Sequence, residues 1–228
     1  MTIRVAVVDY GAGNLVSIDQ ALRAVGVQVR LVQDGGQIEP ADLVIVPGVG
    51  AAVPAMARLD RGGFIEPIRD YVASGRPYFG ICLGLQLLFE GSDEDGAETL
   101  GILPGRTARL ADAPTLPHIG WNQVERHRRH ALFVGIAEDA DFYFVHSYAG
   151  VPTGVEGEAA ILATTTHGGT FVSAIARENV LGVQFHPERS GGNGLRLLAN
   201  LVRWSAALAA GATAAPMPIG AGGMLGSD

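Results

Sequence analysis

Basic residues are scarce in this 228-residue chain: 16 Lys and Arg stand against 23 Asp and Glu, a formal net charge of −7. That balance lacks the electropositive footprint that a phosphate backbone demands and excludes a nucleic-acid binder. Long apolar runs are also missing. The longest are strand-sized and broken by Asp or Gly, far short of the ~20 residues of a bilayer span. Residues Met1 to Asp9 lack the basic start and apolar stretch of a signal peptide, so a soluble, cytoplasmic protein without a membrane partner is expected. Cysteine occurs once, at Cys82, which excludes an internal disulfide framework and a Cys-rich zinc module. That thiol is either core filler or reactive. Glycine, by contrast, is plentiful: 32 residues, about twice the usual ~7%, imply many tight turns or glycine loops.

The first third alternates strands and amphipathic helices, the pattern of parallel α/β units. Strands are expected at Ile3–Asp9, Val27–Val32, Asp42–Val46 and Pro77–Ile81. Asn14 is placed to cap a helix with Leu15, Ile18, Leu22 and Val25 on its apolar face, and Gly26 to end it. A helix over Ala51–Ala73 is interrupted near Gly62-Gly63, and another follows at Leu83–Phe89. Beyond Gly91 the pattern changes to short strands with turn signals at Arg106–Leu110, Tyr143–Tyr148, Ile161–Thr166, Phe171–Ala176 and Leu181–Phe185. This C-terminal half reads as mixed or antiparallel. Asn193 is expected to cap a last helix that buries Leu195, Leu198, Leu201, Val202 and Leu208. The reading is thus an open, mainly parallel twisted sheet with flanking helices, one domain over residues 1–208, and a disordered Gly/Ala/Pro-rich tail over 209–228.

Gly80-Ile81-Cys82-Leu83-Gly84 sits where a strand ends and a helix begins, the spacing of a nucleophile elbow with Cys in place of Ser. A nucleophile there projects at the carboxyl edge of the sheet, and the helix N-terminus favours thiolate. A thiolate needs a base, and the base an orienting group. His186-Pro187-Glu188 supplies both, because Pro187 biases His186 towards extended backbone and a two-residue spacing puts His186 and Glu188 on one side. Five further histidines compete: His118, His127, His130, His146 and His167, of which His127 and His130 lie in the polar stretch ERHRRH, taken as an exposed face. Acyl chemistry also needs donors for an oxyanion. The amide of Leu83 is one, and the Val49-Gly50 peptide of Pro47-Gly48-Val49-Gly50 a second, since its glycines permit a peptide flip. Asp9-Tyr10-Gly11-Ala12-Gly13-Asn14 partly matches a dinucleotide fingerprint with Asp34 as ribose acid, but Val16 stands where its third glycine belongs.

Taken together, GICLGLQLL (Gly80 to Leu88) and QFHPERS (Gln184 to Ser190) resemble the class I, triad-type glutamine amidotransferases, whose sheet is flavodoxin-like. DYGAGN, PGVG, LPHIGWN (Leu116 to Asn122) and FVHSY (Phe144 to Tyr148) narrow the resemblance to the glutaminase subunits of imidazole glycerol phosphate synthases in histidine biosynthesis. The resemblance implies that Cys82 attacks glutamine, His186 shuttles the proton, and Glu188 orients His186. It also implies glutamine binding by Gln86, Ser147 and Tyr148, with no metal or organic cofactor. Gln86, four residues after Cys82 on one helical face, fits that role independently. As partner the resemblance implies a (β/α)₈ cyclase, forming a heterodimer and docking around Asn14, Trp121 and Tyr143. Two rivals remain at this level: a free-standing cysteine hydrolase or peptidase with the same triad, and a non-catalytic dinucleotide-binding module.

Overall fold

The structure, a computed structural model, describes residues 3–211. In chain order it contains β1 (Arg4–Val8), α1 (Leu15–Ala24), β2 (Gln28–Val32), β3 (Leu43–Gly48), α2 (Ala52–Arg61), α3 (Ile65–Ala73), β4 (Tyr78–Cys82) and α4 (Leu83–Gln86). There follow β5 (Gly91–Ser92), β6 (Gly105–Arg109), β7 (His118–Gln123), β8 (Glu125–Arg126), β9 (Asp141–His146), β10 (Tyr148–Pro152), α5 (Gly154–Ala160), β11 (Ile161–His167), β12 (Gly169–Arg177), β13 (Val180–Val183) and α6 (Gly191–Ala209). The expected tail lies, from residue 212 onward, outside the described residues.

The central sheet runs β2-β1-β3-β4-β13-β12-β11-β8. Pairing is parallel from β2 through β13 and antiparallel beyond it, so the mixed C-terminal half extends the same sheet. The central strands read as continuous apolar runs because both faces are covered. Side chains alternate between them: Val5, Val7 and Ile81 pack with Ile18 and Leu22 of α1 and with Leu197 and Leu201 of α6, while Ala6, Val8 and Val46 pack with Leu59 of α2 and Ile68 of α3. Two smaller sheets, β10-β6-β5 and β7-β9, complete the fold.

The Asn14 cap is present, its Oδ1 accepting from the Ser17 amide at 3.2 Å, and the expected break after α2 falls at Gly62 and Gly63. Other expectations need correction. The helix after Cys82 ends at Gln86 rather than Phe89, because the chain tightens into i+3 bonds at Leu88 and Phe89 and the Leu88 carbonyl is taken by the amides of Ile102 and Leu103. The strand expected over Tyr143–Tyr148 is two strands cornering at Ser147, one paired with β7 and the other with β6. Asn193 lies inside α6 and donates to the Asp141 carbonyl, while Ser190 occupies the cap position. Leu195 faces solvent, since the buried stripe of α6 runs through Leu197, Leu198, Leu201 and Trp204. The ERHRRH stretch is not simply an exposed face. The Arg128 guanidinium caps the carbonyls of Ala159, Ile161 and Ala176, and half-buried His130 accepts from the Leu132 amide.

Candidate active site

Strand β4 delivers Cys82 to the carboxyl edge of the sheet and α4 begins at the next residue. The turn is so sharp that Cys82 itself takes φ 53°, ψ −109°, a conformation costly for a residue with a Cβ. The flanking glycines are required by packing. A Cβ on Gly84 would overlap the Val46 carbonyl, and one on Gly80 the Gly84 carbonyl, so both residues are needed for α4 to press against β3 and β4. Strain at the nucleophile is thus held by close packing beneath it.

Strand β13 pairs with β4 in parallel, Val183 opposite Ile81, and the chain leaving β13 carries Gln184, His186 and Glu188 across the edge beside Cys82. This segment is anchored to β9: the His186 amide donates to the Tyr143 carbonyl at 2.8 Å, and Ser190 Oγ donates to the His186 carbonyl at 2.7 Å while accepting from the Tyr143 amide at 3.0 Å. Glu188 Oε1 lies 2.8 Å from His186 Nδ1, both side chains being buried. Burial works against a charged imidazole, but the interactions with Cys82 and with Glu188 outweigh it and raise His186 to about 10. Among the described residues no partner meets hydrogen-bond geometry at Nε2. Cys82 nevertheless lies close enough to favour a proton on the ring, and such contacts commonly tighten only around a reacting ligand.

The remaining expected residues distribute around this trio. Leu83 opens α4 and is buried. Gly48 pairs with Cys82 across β3 and β4, so Val49 and Gly50 lie just past the nucleophile in the loop that leaves the neighbouring strand. Val49 is exposed and Gly50 holds φ +90°, which glycine adopts freely. Gln86 is buried, not a surface residue, and its Nε2 donates to the Tyr148 carbonyl at 2.8 Å and to Gln184 Oε1 at 3.0 Å. Ser147 forms the corner before Tyr148. On the outer side, Trp121 is 57% exposed, packs edge-on against Tyr143 at 6.0 Å, and Tyr143 lies under the Arg189 guanidinium. Asn14 is exposed at the start of α1.

Among the competing histidines, His118 and His146 are buried in a cluster with His167, Phe144 and Phe171. Burial and the neighbouring His167 imidazole lower His118 to about 4, and burial is the leading cause that takes His146 to about 3. Neither ring is paired with a carboxylate as His186 is. Sequence reasoning gave no role to Gln184, whose Nε2 lies 3.5 Å from Cys82 Sγ, or to Ser190. Both sit in QFHPERS, but the register of β13 against β4 is what sets Gln184 beside Cys82, while Ser190 acts on the His186 backbone. The dinucleotide reading loses its acid: Asp34 Oδ1 is used to cap the turn at Gly36, and Gly13 packs against Pro47 and Gly48.

This fold and elbow are those of a known class. The pattern of the family described as "Glutamine amidotransferase class-I" matches residues 6–203, and the chain belongs to that family. Its relatives are more specific still. It is 48% identical over 200 residues to the imidazole glycerol phosphate synthase subunit HisH of Symbiobacterium thermophilum, covering 86% of this chain and 92% of that one. Identity is again 48%, over 197 residues and the same shares, to the HisH subunit of Moorella thermoacetica, and 46% over 205 residues to that of Xylella fastidiosa, covering 89% and 98%. Among solved structures, a chain described as "Structure of PurLQS from Thermotoga maritima" superposes with a TM-score of 0.72 at 18% identity, covering 90% of this chain and 99% of that one. A second, described as glutamine amidotransferase, gives 0.67 at 23%, covering 87% and 98%; both speak to the fold. The chain is accordingly a glutamine amidotransferase subunit of imidazole glycerol phosphate synthase, in histidine biosynthesis, and acts with another subunit.

Proposed function

We propose that Cys82, His186 and Glu188 are the triad by which this subunit hydrolyses glutamine. The observation that carries the assignment is the strained Cys82 at the head of α4 beside an imidazole whose far nitrogen is held 2.8 Å from a buried carboxylate. The Cys82 thiolate attacks the side-chain carbonyl carbon of glutamine. The oxyanion is received by the Leu83 amide and, after reorientation of the loop, by the Val49-Gly50 peptide. Protonated His186 gives its proton to the departing nitrogen, releasing ammonia and leaving a thioester. Water then attacks with His186 as base, glutamate leaves, and the thiolate and imidazolium are restored. Gln86, Ser147 and Tyr148 bind glutamine.

The partner in this reading is a (β/α)₈ cyclase that receives the ammonia without its passing through solvent, in a cytoplasmic heterodimer. Trp121, Tyr143 and Asn14 form its docking face. Support comes from the exposure of Trp121, Ile119 and Val49 in segments flanking the carboxyl edge, since exposed aromatic and apolar groups mark interfaces. Residues 1–208 form the amidotransferase domain, and no helix among the described residues is long and apolar enough to cross a membrane.

The test is glutaminase activity of the wild type and of Cys82→Ala, each with and without the cyclase and its ligand. Cys82→Ala should lose on the order of 10⁶ in turnover yet still support synthesis by the cyclase from added ammonia. Retention of a tenth of the wild-type rate would remove the triad assignment, and peptide hydrolysis without a partner would favour the free-standing hydrolase.

A further inference from the structure

A continuous hydrogen-bonded chain runs from β7 to the sulfur of Cys82, and elementary donor and acceptor rules fix the direction of every link. The Thr166 carbonyl can only accept and the Gln123 amide can only donate, so the Asn122 side chain presents Nδ2 to Thr166 at 3.0 Å and Oδ1 to Gln123 at 2.8 Å. Asn122 Nδ2 also faces His118 Nε2 at 3.3 Å, which makes that ring nitrogen the acceptor. At the far end the Tyr148 carbonyl can only accept, so His146 Nδ1, 2.9 Å away, carries a proton. In a neutral ring His146 Nε2 is then the acceptor, and it faces His118 Nδ1 at 3.3 Å, the nitrogen left to donate. The tautomers assigned from the two ends agree in the middle.

The same Tyr148 carbonyl takes a second bond from Gln86 Nε2, which is shared with Gln184 Oε1. With its oxygen so engaged, Gln184 is left with its amide nitrogen turned to Cys82 Sγ. Gln184 is fully buried, and the histidine pair is nearly so. Burial keeps both rings neutral, as the chain requires, because an imidazolium donates at both nitrogens and would break one link.

We propose that Gln184 is a catalytic residue that donates to the Cys82 thiolate, and that Asn122, His118 and His146 are positioning residues that fix its amide from strand β7. This rests on the glutaminase reading and deepens it. Strand β7 carries Trp121 and Ile119 on its exposed side and His118 and Asn122 on the other. Pressure on that outer face would therefore reach the sulfur through five side chains and one carbonyl.

Three variants test the chain in the complex with the cyclase. Gln184→Met keeps the volume and loses the donor; His118→Phe keeps the stacking on Phe144 and His167 and loses the donor; Asn122→Leu loses the first link on a half-buried strand. Each is read by kcat and KM for glutamine and by the ultraviolet absorbance of the thiolate at neutral pH, measured as a difference against Cys82→Ser. A bond to a charged group predicts a loss of roughly tenfold or more in kcat/KM for Gln184→Met, with a weaker thiolate signal. His118→Phe and Asn122→Leu should show the same signature at smaller size, and His118→Asn, whose amide can stand near the lost Nδ1, should regain part of it. An unchanged thiolate signal and kcat/KM in Gln184→Met would overturn the role of Gln184. Loss in Gln184→Met without loss in the other two would overturn the chain. Should Gln184→Met fail to fold, Asn122→Leu and His118→Phe decide alone. A wild type with no thiolate signal and an active Cys82→Ser would instead defeat the assignment of Cys82 as nucleophile.

Discussion

Glu188 Oε1 stands 2.8 Å from Nδ1 of His186, two residues away; only His186 is extended, and the pair is closed by the 3₁₀ turn Pro187–Arg189 rather than by the extended segment the sequence suggested, with the two side chains 2% and 6% exposed. The second carboxylate oxygen, Oε2, is buried and has no hydrogen-bond partner among the described residues, so the hydrogen bonding of Glu188 within them is directed to the imidazole. Such an arrangement keeps His186 protonated until a leaving group takes the proton. It also sets a hierarchy between the two residues.

His186→Ala should lower glutamine turnover in the complex by on the order of 10⁶, whereas Glu188→Gln, which can still accept from Nδ1 but lacks the charge, should cost on the order of 10⁴. Steady-state glutaminase rates of the two variants check the order. A fully active His186→Ala would move the base to another histidine.

Gly50 holds φ +90° in the loop after β3, and nothing crowds its Cα. Gly50→Pro forces φ to about −65° and removes the amide hydrogen, so the loop can neither keep its present conformation nor offer that donor. Stimulation of glutaminase activity by the ligand-loaded cyclase should fall by roughly 10²–10³, the worth of one oxyanion donor. Rates with and without the cyclase ligand, alongside an unchanged far-ultraviolet dichroism spectrum, give the comparison.

Gly84 lies in α4, with no room for a Cβ beside the Val46 carbonyl. Gly84→Ala should push the helix off β3 and destabilise the protein by about 1–3 kcal/mol, as overpacking does. The denaturant midpoint reports the loss, and a drop in glutaminase rate should accompany it because Cys82 heads the same helix.

Stability should also fall on acidification through groups remote from the triad. His130 accepts from the Leu132 amide at 3.1 Å through Nδ1, and burial followed by the nearby Arg128 lowers it to about 4 from an ordinary value near 6.5. Below 6.5 the unfolded chain binds a proton that the folded protein resists, so this contribution is present above 6.5 and drains away as pH falls towards 4. His118 and His146 act in the same direction. The raised His186 has the opposite sign, its contribution being lost as pH climbs from 6.5 to about 10. His130→Asn keeps an acceptor and cannot titrate, so its denaturant midpoint should fall less steeply than the wild type's between pH 6.5 and 4.

What the sequence alone determined was local. The strand runs, the Asn14 cap, the break at Gly62-Gly63, the elbow around Cys82 and the HPE pairing all follow from periodicity, capping chemistry and spacing within a few residues. What only the tertiary structure decided depends on strands meeting across large separations. Gln184 reaches Cys82 because β13 lies beside β4 in one register, and a slip of one residue would turn it to the opposite face. His118 meets His146 because β7, a segment whose own pattern announced no strand, pairs with β9, the first part of the run over Tyr143–Tyr148. The polar, glycine-bearing segments that became α5 and β7 carry little intrinsic preference, so their form was settled by what they pack against. Local signals name the nucleophile and its base; the environment that tunes them is built from contacts no short stretch of sequence contains.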